Sequence, residues 1–260
     1  HKSSRGLGDV YKRQIQYDLK EELGYSQQYY QKRTGHLVEV VTDEGITGWG
    51  ECFGPGNVAI ANKVIVERVI QPMILGENPL NRDVLWHKVY NLLRDHGQKG
   101  MPIQALSGVD IALWDILGKV TGLSISRLIG GRFREQVPVY GYGMMLRREK
   151  LPALMDRFED EAAAIKSSGF VATKMKVGLG PKQDVQLAES VRRGVGGDFP
   201  FMVDANHCYT VDQALYVGRA LEELDAYWFE EPVAPEDLDG YRELRSQLTI
   251  NIAGGEAEFT

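Results

Sequence analysis

Asp204, Glu230 and Glu256 stand 26 residues apart in turn, and each closes a short apolar run. The runs read Phe-Met-Val-Asp, Trp-Phe-Glu and Ile-Ala-Gly-Gly-Glu, and a helix-like segment follows each of the first two. That step suits a β-strand plus its returning helix, the unit from which a (β/α) barrel is built. A single acid after a strand is commonly a helix cap or a solvated loop residue. Three at one period favour a shared site instead, because the C-terminal ends of successive parallel strands converge. Such an oxygen-rich site suits Mg²⁺, a hard cation that prefers oxygen ligands.

One strand earlier lies Ala172-Thr173-Lys174-Met175-Lys176-Val177. Residues i and i+2 of a strand share a face, so Lys174 and Lys176 point one way and Met175 and Val177 the other. Two neighbouring ammonium groups repel, and burial penalises their charge further. Both effects are expected to lower a lysine pKa toward the range in which the amine acts as a base. Lysine pairs on exposed strands are common, and it is the metal-binding acid on the next strand that gives this one meaning.

The order Lys-x-Lys, Asp-x-Asn, Glu-Glu-Pro and Gly-Gly-Glu resembles the mandelate racemase and muconate lactonizing enzyme branch of the enolase superfamily. Trp49-Gly50-Glu51 and the run Ala105 to Asp115 also resemble that branch, in its capping domain and first linking helix. The resemblance implies Asp204, Glu230 and Glu256 as metal ligands, Mg²⁺ as cofactor and Lys176 as the base that forms an enediolate. It assigns Lys174 to the substrate carboxylate, and Glu231 to a structural or supporting part beside the metal ligand. Asn206, His207 and Tyr25 are the substrate-binding candidates, the last from a tyrosine-rich segment whose counterpart in the family closes over the substrate. A loop histidine such as His207 or His96 is more often a helix cap or surface residue.

Leu93 to Gly100, Asp204 to Thr210 and Trp228 to Val233 carry a likeness to members that open a galactarolactone-type aldarolactone. The expected reaction is therefore abstraction of the proton α to a carboxylate with loss of a β oxygen, by cycloisomerisation. An acid-sugar dehydratase is the alternative, then a racemase or epimerase. A non-catalytic sugar-acid binder or inactive fragment is the alternative of another class.

The expected fold is α/β, a partial (β/α) barrel preceded by an α+β capping domain. Residues 1–14 look like a translated library adapter and are set aside as a non-native tail. Residues 15–134 form the cap and 135–260 the first part of the barrel. Strands are expected at Val137–Tyr142, Ala172–Val177, Phe201–Asp204, Ala226–Glu230 and Ile250–Ala253, against about eight in a closed barrel. Later strands and their acid/base are expected to lie beyond Thr260.

In the cap, residues 35–52 read as a hairpin turning at Asp43-Glu44-Gly45, and Leu19 to Arg33 as a polar loop. Ile103 to Val120 has apolar residues on one helical face, and Gly122 is its stop. Gly178-Leu179-Gly180 after a strand lacks the remainder of a dinucleotide fingerprint and is not read as a phosphate loop.

With 43% apolar residues the chain can bury a sizeable core, and its formal charge of −6 disfavours nucleic acid as a partner. Two cysteines give no disulfide framework, and no apolar run reaches the length of a membrane span. A cytoplasmic protein is expected, taking a small-molecule sugar acid or lactone, without nucleic-acid or membrane partners, and homo-oligomeric at full length.

Overall fold

The computed structural model describes residues 6–54 and 58–259. These described residues form two compact units, one within 6–19, 32–135 and 258–259, the other of residues 20–31 and 136–257.

The first unit is built on a sheet of order β1-β2-β3, with β1 at Leu7–Tyr25, β2 at Gln28–Thr42 and β3 at Thr47–Cys52. The β2–β3 hairpin turns at 43–45, with Gly45 at φ 79° and the Thr42 amide donating to Ile46 O at 2.9 Å. Helix α1 (Val58–Ile65) continues through a π turn, Val66–Ile70, into α2 (Gln71–Ile74). Helix α3 (Arg82–Leu93) ends in a single 3₁₀ turn, Arg94–His96. The long helix α4 (Met101–Thr121) stops at Gly122, whose φ of 69° is the left-handed closure that glycine permits. Its expected apolar face is real: Ile103, Leu106, Val109, Leu113 and Ile116 are all buried.

Glycine sets the distance between β3 and α4. A Cβ on Gly48 would lie 2.1 Å from Ala112 O, and one on Gly50 1.9 Å from Gly108 O. Only a bare backbone passes there. Residues 6–14 belong to the tail that was set aside as non-native, and the structure describes them. There β1 begins at Leu7, and Leu7 and Val10 pack into the core with Val38, Val40 and Ile70. Residues 1–5 of that tail lie outside the described residues.

The second unit follows a short helix, α5 (Ile125–Leu128), and holds a parallel sheet of order β4-β5-β6-β7-β8. The strands are β4 (Gly141–Tyr142), β5 (Thr173–Lys176), β6 (Phe201–Asp204), β7 (Trp228–Glu230) and β8 (Asn251–Ala253). Each of the first four is followed by a helix: α6 (Leu151–Ser167), α7 (Pro181–Val195), α8 (Val211–Glu223) and α9 (Leu238–Gln247). This is the strand–helix alternation of a barrel, with sheet edges at β4 and β8. Met175, Val203 and Phe229 are fully buried in the core beneath the helices, on the strand face opposite the lysines and acids. Helix α8 starts on a capping box, in which Thr210 Oγ1 accepts from the Gln213 amide and Gln213 Oε1 from the Thr210 amide. Among the described residues no helix is long and apolar enough to cross a membrane.

Two expectations need correction. Only Gly141 and Tyr142 of the strand expected at 137–142 are in the sheet; Val137 and Val139 before them are exposed and gain no burial by pairing. Residues 19–33 are not a loop. They complete β1 and begin β2 across a two-residue turn at Ser26-Gln27, and β-prone tyrosines on both arms fit that outcome.

Candidate active site

Parallel register aligns the strand ends. Lys176 is paired with Asp204, Asp204 with Glu230, and Glu230 with Ala253. Two residues earlier, Lys174 is in register with Met202, and Met202 with Trp228. Period-two alternation then puts Lys174, Lys176, Asp204, Trp228 and Glu230 on one face.

Their side chains meet there. Lys176 Nζ donates to Asp204 Oδ2 at 2.5 Å and to Asn206 Oδ1 at 2.6 Å. Lys174 Nζ bridges both oxygens of Glu230, at 2.7 and 2.8 Å, and lies 3.2 Å from Asp204 Oδ2. Asp204 is completely buried, and its other oxygen accepts the Asn206 amide at 3.1 Å. Trp228 Nε1 donates to Glu230 Oε2 at 2.9 Å. Tyr142 faces both lysines, its ring centre 5.8 Å from each Nζ, and the Tyr25 ring is 5.9 Å from Lys176 Nζ.

The turn between β1 and β2 reaches the same place. Ser26 Oγ and Gln27 Nε2 both donate to Asn206 O, at 3.2 and 2.9 Å, and Gln27 Nε2 lies 3.4 Å from His207 Nδ1. Gln28 Nε2 donates to the Tyr25 hydroxyl at 2.9 Å. Asn206, His207 and Glu231 hold left-handed backbone at φ 43°, 55° and 43°. Such conformations cost energy in residues other than glycine and cluster at functional sites.

Behind β5 and β6 the fold is tied by one carboxylate. Buried Asp184 accepts the amides of Gly178, Leu179 and Gly180 at 2.9 to 3.0 Å and the Tyr209 hydroxyl at 2.7 Å. A loop that could have cradled an anion is thus filled by the protein's own side chain. Burial, aided by the Asp184 charge, pushes the neighbouring Cys208 thiol up to about 12, so it is no nucleophile at neutral pH.

The electrostatics correct the expected lysine behaviour. Burial favours the neutral amine of Lys174, but the Glu230 hydrogen bonds and the charges of Asp204 and Glu230 outweigh it, and its pKa is raised. Glu231 is buried beside these groups. Burial, reinforced by the charges of Glu256 and Asp204, pushes its carboxyl up to about 7.

Asp204, Glu230 and the buried Glu231 bring carboxylate oxygen to this part of the unit, the donor chemistry that suits a hard divalent cation. The expected three-ligand group is not gathered. Glu256 sits on an exposed segment three residues past β8, and among the described residues no group of three or more His, Cys, Asp or Glu is close enough to hold a metal. His96 belongs to the first unit, as does Lys99 three residues on, which pairs with Glu258 at 3.5 Å.

Several site residues had no role from the sequence. Trp228 and Tyr142 could have been found by the same i, i+2 rule that paired the lysines. Gln27 could not, because nothing local ties it to Asn206.

Residues 18–130 match the mandelate racemase / muconate lactonizing enzyme N-terminal domain family, and residues 157–260 match the enolase C-terminal domain-like family. The chain belongs to the mandelate racemase and muconate lactonizing enzyme branch of the enolase superfamily. Within this superfamily it is 42% identical over 230 residues to D-galactarolactone cycloisomerase of Agrobacterium fabrum, covering 87% of this chain and 58% of that protein. It is 35% identical over 223 residues to arabinonate dehydratase of Saccharolobus solfataricus, covering 85% and 58%. A crystal structure of a racemase from Streptomyces coelicolor with bound magnesium superposes with a TM-score of 0.89 at 31% identity, covering 96% of this chain and 69% of that one. The chain thus spans 58% of the length of the two curated relatives.

Proposed function

We propose that this superfamily member serves a Mg²⁺-dependent sugar-acid enzyme that removes the proton α to a carboxylate and expels a β oxygen. The observation that carries this reading is Lys176 Nζ held between Asp204 and Asn206, with Lys174 and Glu230 in the adjoining register positions. Asp204 and Glu230, with Glu256 brought in from the segment after β8, would hold Mg²⁺, and the ion would supply positive charge against the charge developing on the substrate carboxylate.

The side chains divide the remaining work. Lys176, as the amine, takes the α-proton, and the C–H electron pair passes into the carboxylate. Asn206 fixes the direction of the Lys176 amine through its amide oxygen. Lys174 keeps positive charge beside the carboxylate. Tyr25 and His207 cover the sugar backbone from the hairpin tip and the loop after β6.

Return of the electron pair breaks the bond from the β carbon to oxygen. In an aldarolactone that bond is the ring ester, so the ring opens and the product is an isomer of the substrate. In an open-chain acid the oxygen leaves as water, which is dehydration. Likeness to D-galactarolactone cycloisomerase favours the first outcome, and likeness to arabinonate dehydratase supports the second. Incubation with D-galactarolactone or an aldonate, followed by mass spectrometry, separates them. The proposal expects consumption of the lactone with no change of mass. Loss of water from an aldonate alone would make the protein a dehydratase, and no conversion of either acid would leave the binder reading.

A further inference from the structure

Trp228 is the one tryptophan of the second unit; Trp49, Trp86 and Trp114 belong to the first. Its indole N–H points at Glu230 Oε2, 2.9 Å away, the oxygen that also accepts from Lys174 at 2.8 Å. The two residues are i and i+2 on β7, so the strand itself aims the donor at the carboxylate. The indole is held in turn, because its ring meets Tyr140 edge to face, with centroids 5.8 Å apart and planes at 85°. Glu230 is mostly buried, with 16% of its side chain exposed, so few other donors can replace the indole.

We infer that Trp228 is a positioning residue for cation binding, its indole N–H fixing the rotamer of Glu230 so that the carboxylate is presented already oriented to Mg²⁺. An indole suits this task better than a lysine. It is a donor without charge, so it orients the carboxylate without competing with the cation. Lys174 holds the same carboxylate by charge, and arrival of a divalent ion weakens that hold by repulsion; the indole bond is not opposed in this way. Partners of this kind, hydrogen-bonded to a ligand but not to the metal, commonly govern affinity. The inference rests on the proposed role of Glu230 in Mg²⁺ binding.

The test is calorimetric titration of the protein with Mg²⁺ alone, comparing wild type with Trp228→Phe, which keeps an aromatic ring against Tyr140 and removes the donor. The inference predicts affinity lower by about ten- to a hundred-fold. Equal affinity in the two proteins overturns it while leaving the Mg²⁺ site intact. Absence of Mg²⁺ binding in wild type overturns the metal-site reading and this inference with it. Should Trp228→Phe misfold, ¹⁵N-indole labelling of wild type decides. One of the four indole N–H resonances must shift as Mg²⁺ saturates the site, and that shift must vanish in Glu230→Gln. A spectrum in which no indole resonance titrates contradicts the inference.

Discussion

Lys176 Nζ sits 2.6 Å from Asn206 Oδ1, and the backbone of that asparagine is left-handed, at φ 43°. The same residue offers its carbonyl to the tip of the β1–β2 hairpin, through Ser26 and Gln27. Asn206 thus joins the proposed base to the segment above it, and its backbone conformation is what lets side chain and carbonyl serve different partners.

Substitution of Asn206 separates these parts. Asn206→Gly keeps the backbone conformation and loses the amide, whereas Asn206→Ala loses both the amide and a residue tolerant of positive φ. Turnover is expected to fall in both, while only Asn206→Ala loses stability, by roughly 1 kcal/mol. Steady-state rates and urea midpoints of the two variants check this. Full activity in Asn206→Gly would remove Asn206 from the account.

Close packing of β3 on α4 gives a second prediction. Gly50→Ala places a methyl 1.9 Å from Gly108 O by rigid geometry, and backbone cannot step aside as a flexible side chain can. The cost is expected at about 3 kcal/mol, the upper end for overpacking. Gly45→Ala, at the exposed hairpin turn with open space around it, pays only for its positive φ and is expected to cost about 1 kcal/mol. Thermal unfolding of both variants tests the ranking, and a Gly50→Ala protein as stable as wild type contradicts the packing.

Glu222 carries a pH dependence. Burial opposes its ionised form, but hydrogen bonds from Thr249 Oγ1 at 2.7 Å and from the Thr249 and Ile250 amides outweigh it and lower its pKa. A carboxyl whose folded pKa lies below its unfolded value contributes stability that is full above the unfolded pKa. That stability is lost as pH falls through the folded one. Wild type is therefore expected to exceed Glu222→Gln by about 1 kcal/mol at neutral pH, a gap that shrinks below about pH 4.3. Urea unfolding across that range measures it, and a gap that grows as the pH falls reverses the sign.

Particular residues show what the sequence could reveal. Lys174, Lys176, Asp204 and Glu230 were legible because strand alternation and a repeated strand–helix step are local rules that survive folding. Their electrostatics were not. Two lysines alone repel, and only the structure shows each seated on a carboxylate, so Lys174 is raised rather than lowered. Helix α4 was legible from its apolar face and Gly122. The hairpin at 19–33 was not, since its polar strands bury little and its pairing depends on a turn of only two residues. Gln27 reaches Asn206 across 179 positions of chain, a distance no periodicity spans.

The most direct test of the central claim is exchange of the substrate α-proton in deuterium oxide, followed by proton NMR with D-galactarolactone and Mg²⁺. Wild type is expected to lose the α-proton signal only when Mg²⁺ is present. Lys176→Met should slow that loss by about 10²- to 10⁴-fold, the usual worth of a general base, while still binding Mg²⁺. Undiminished exchange in Lys176→Met, or exchange indifferent to Mg²⁺ in wild type, would contradict the account.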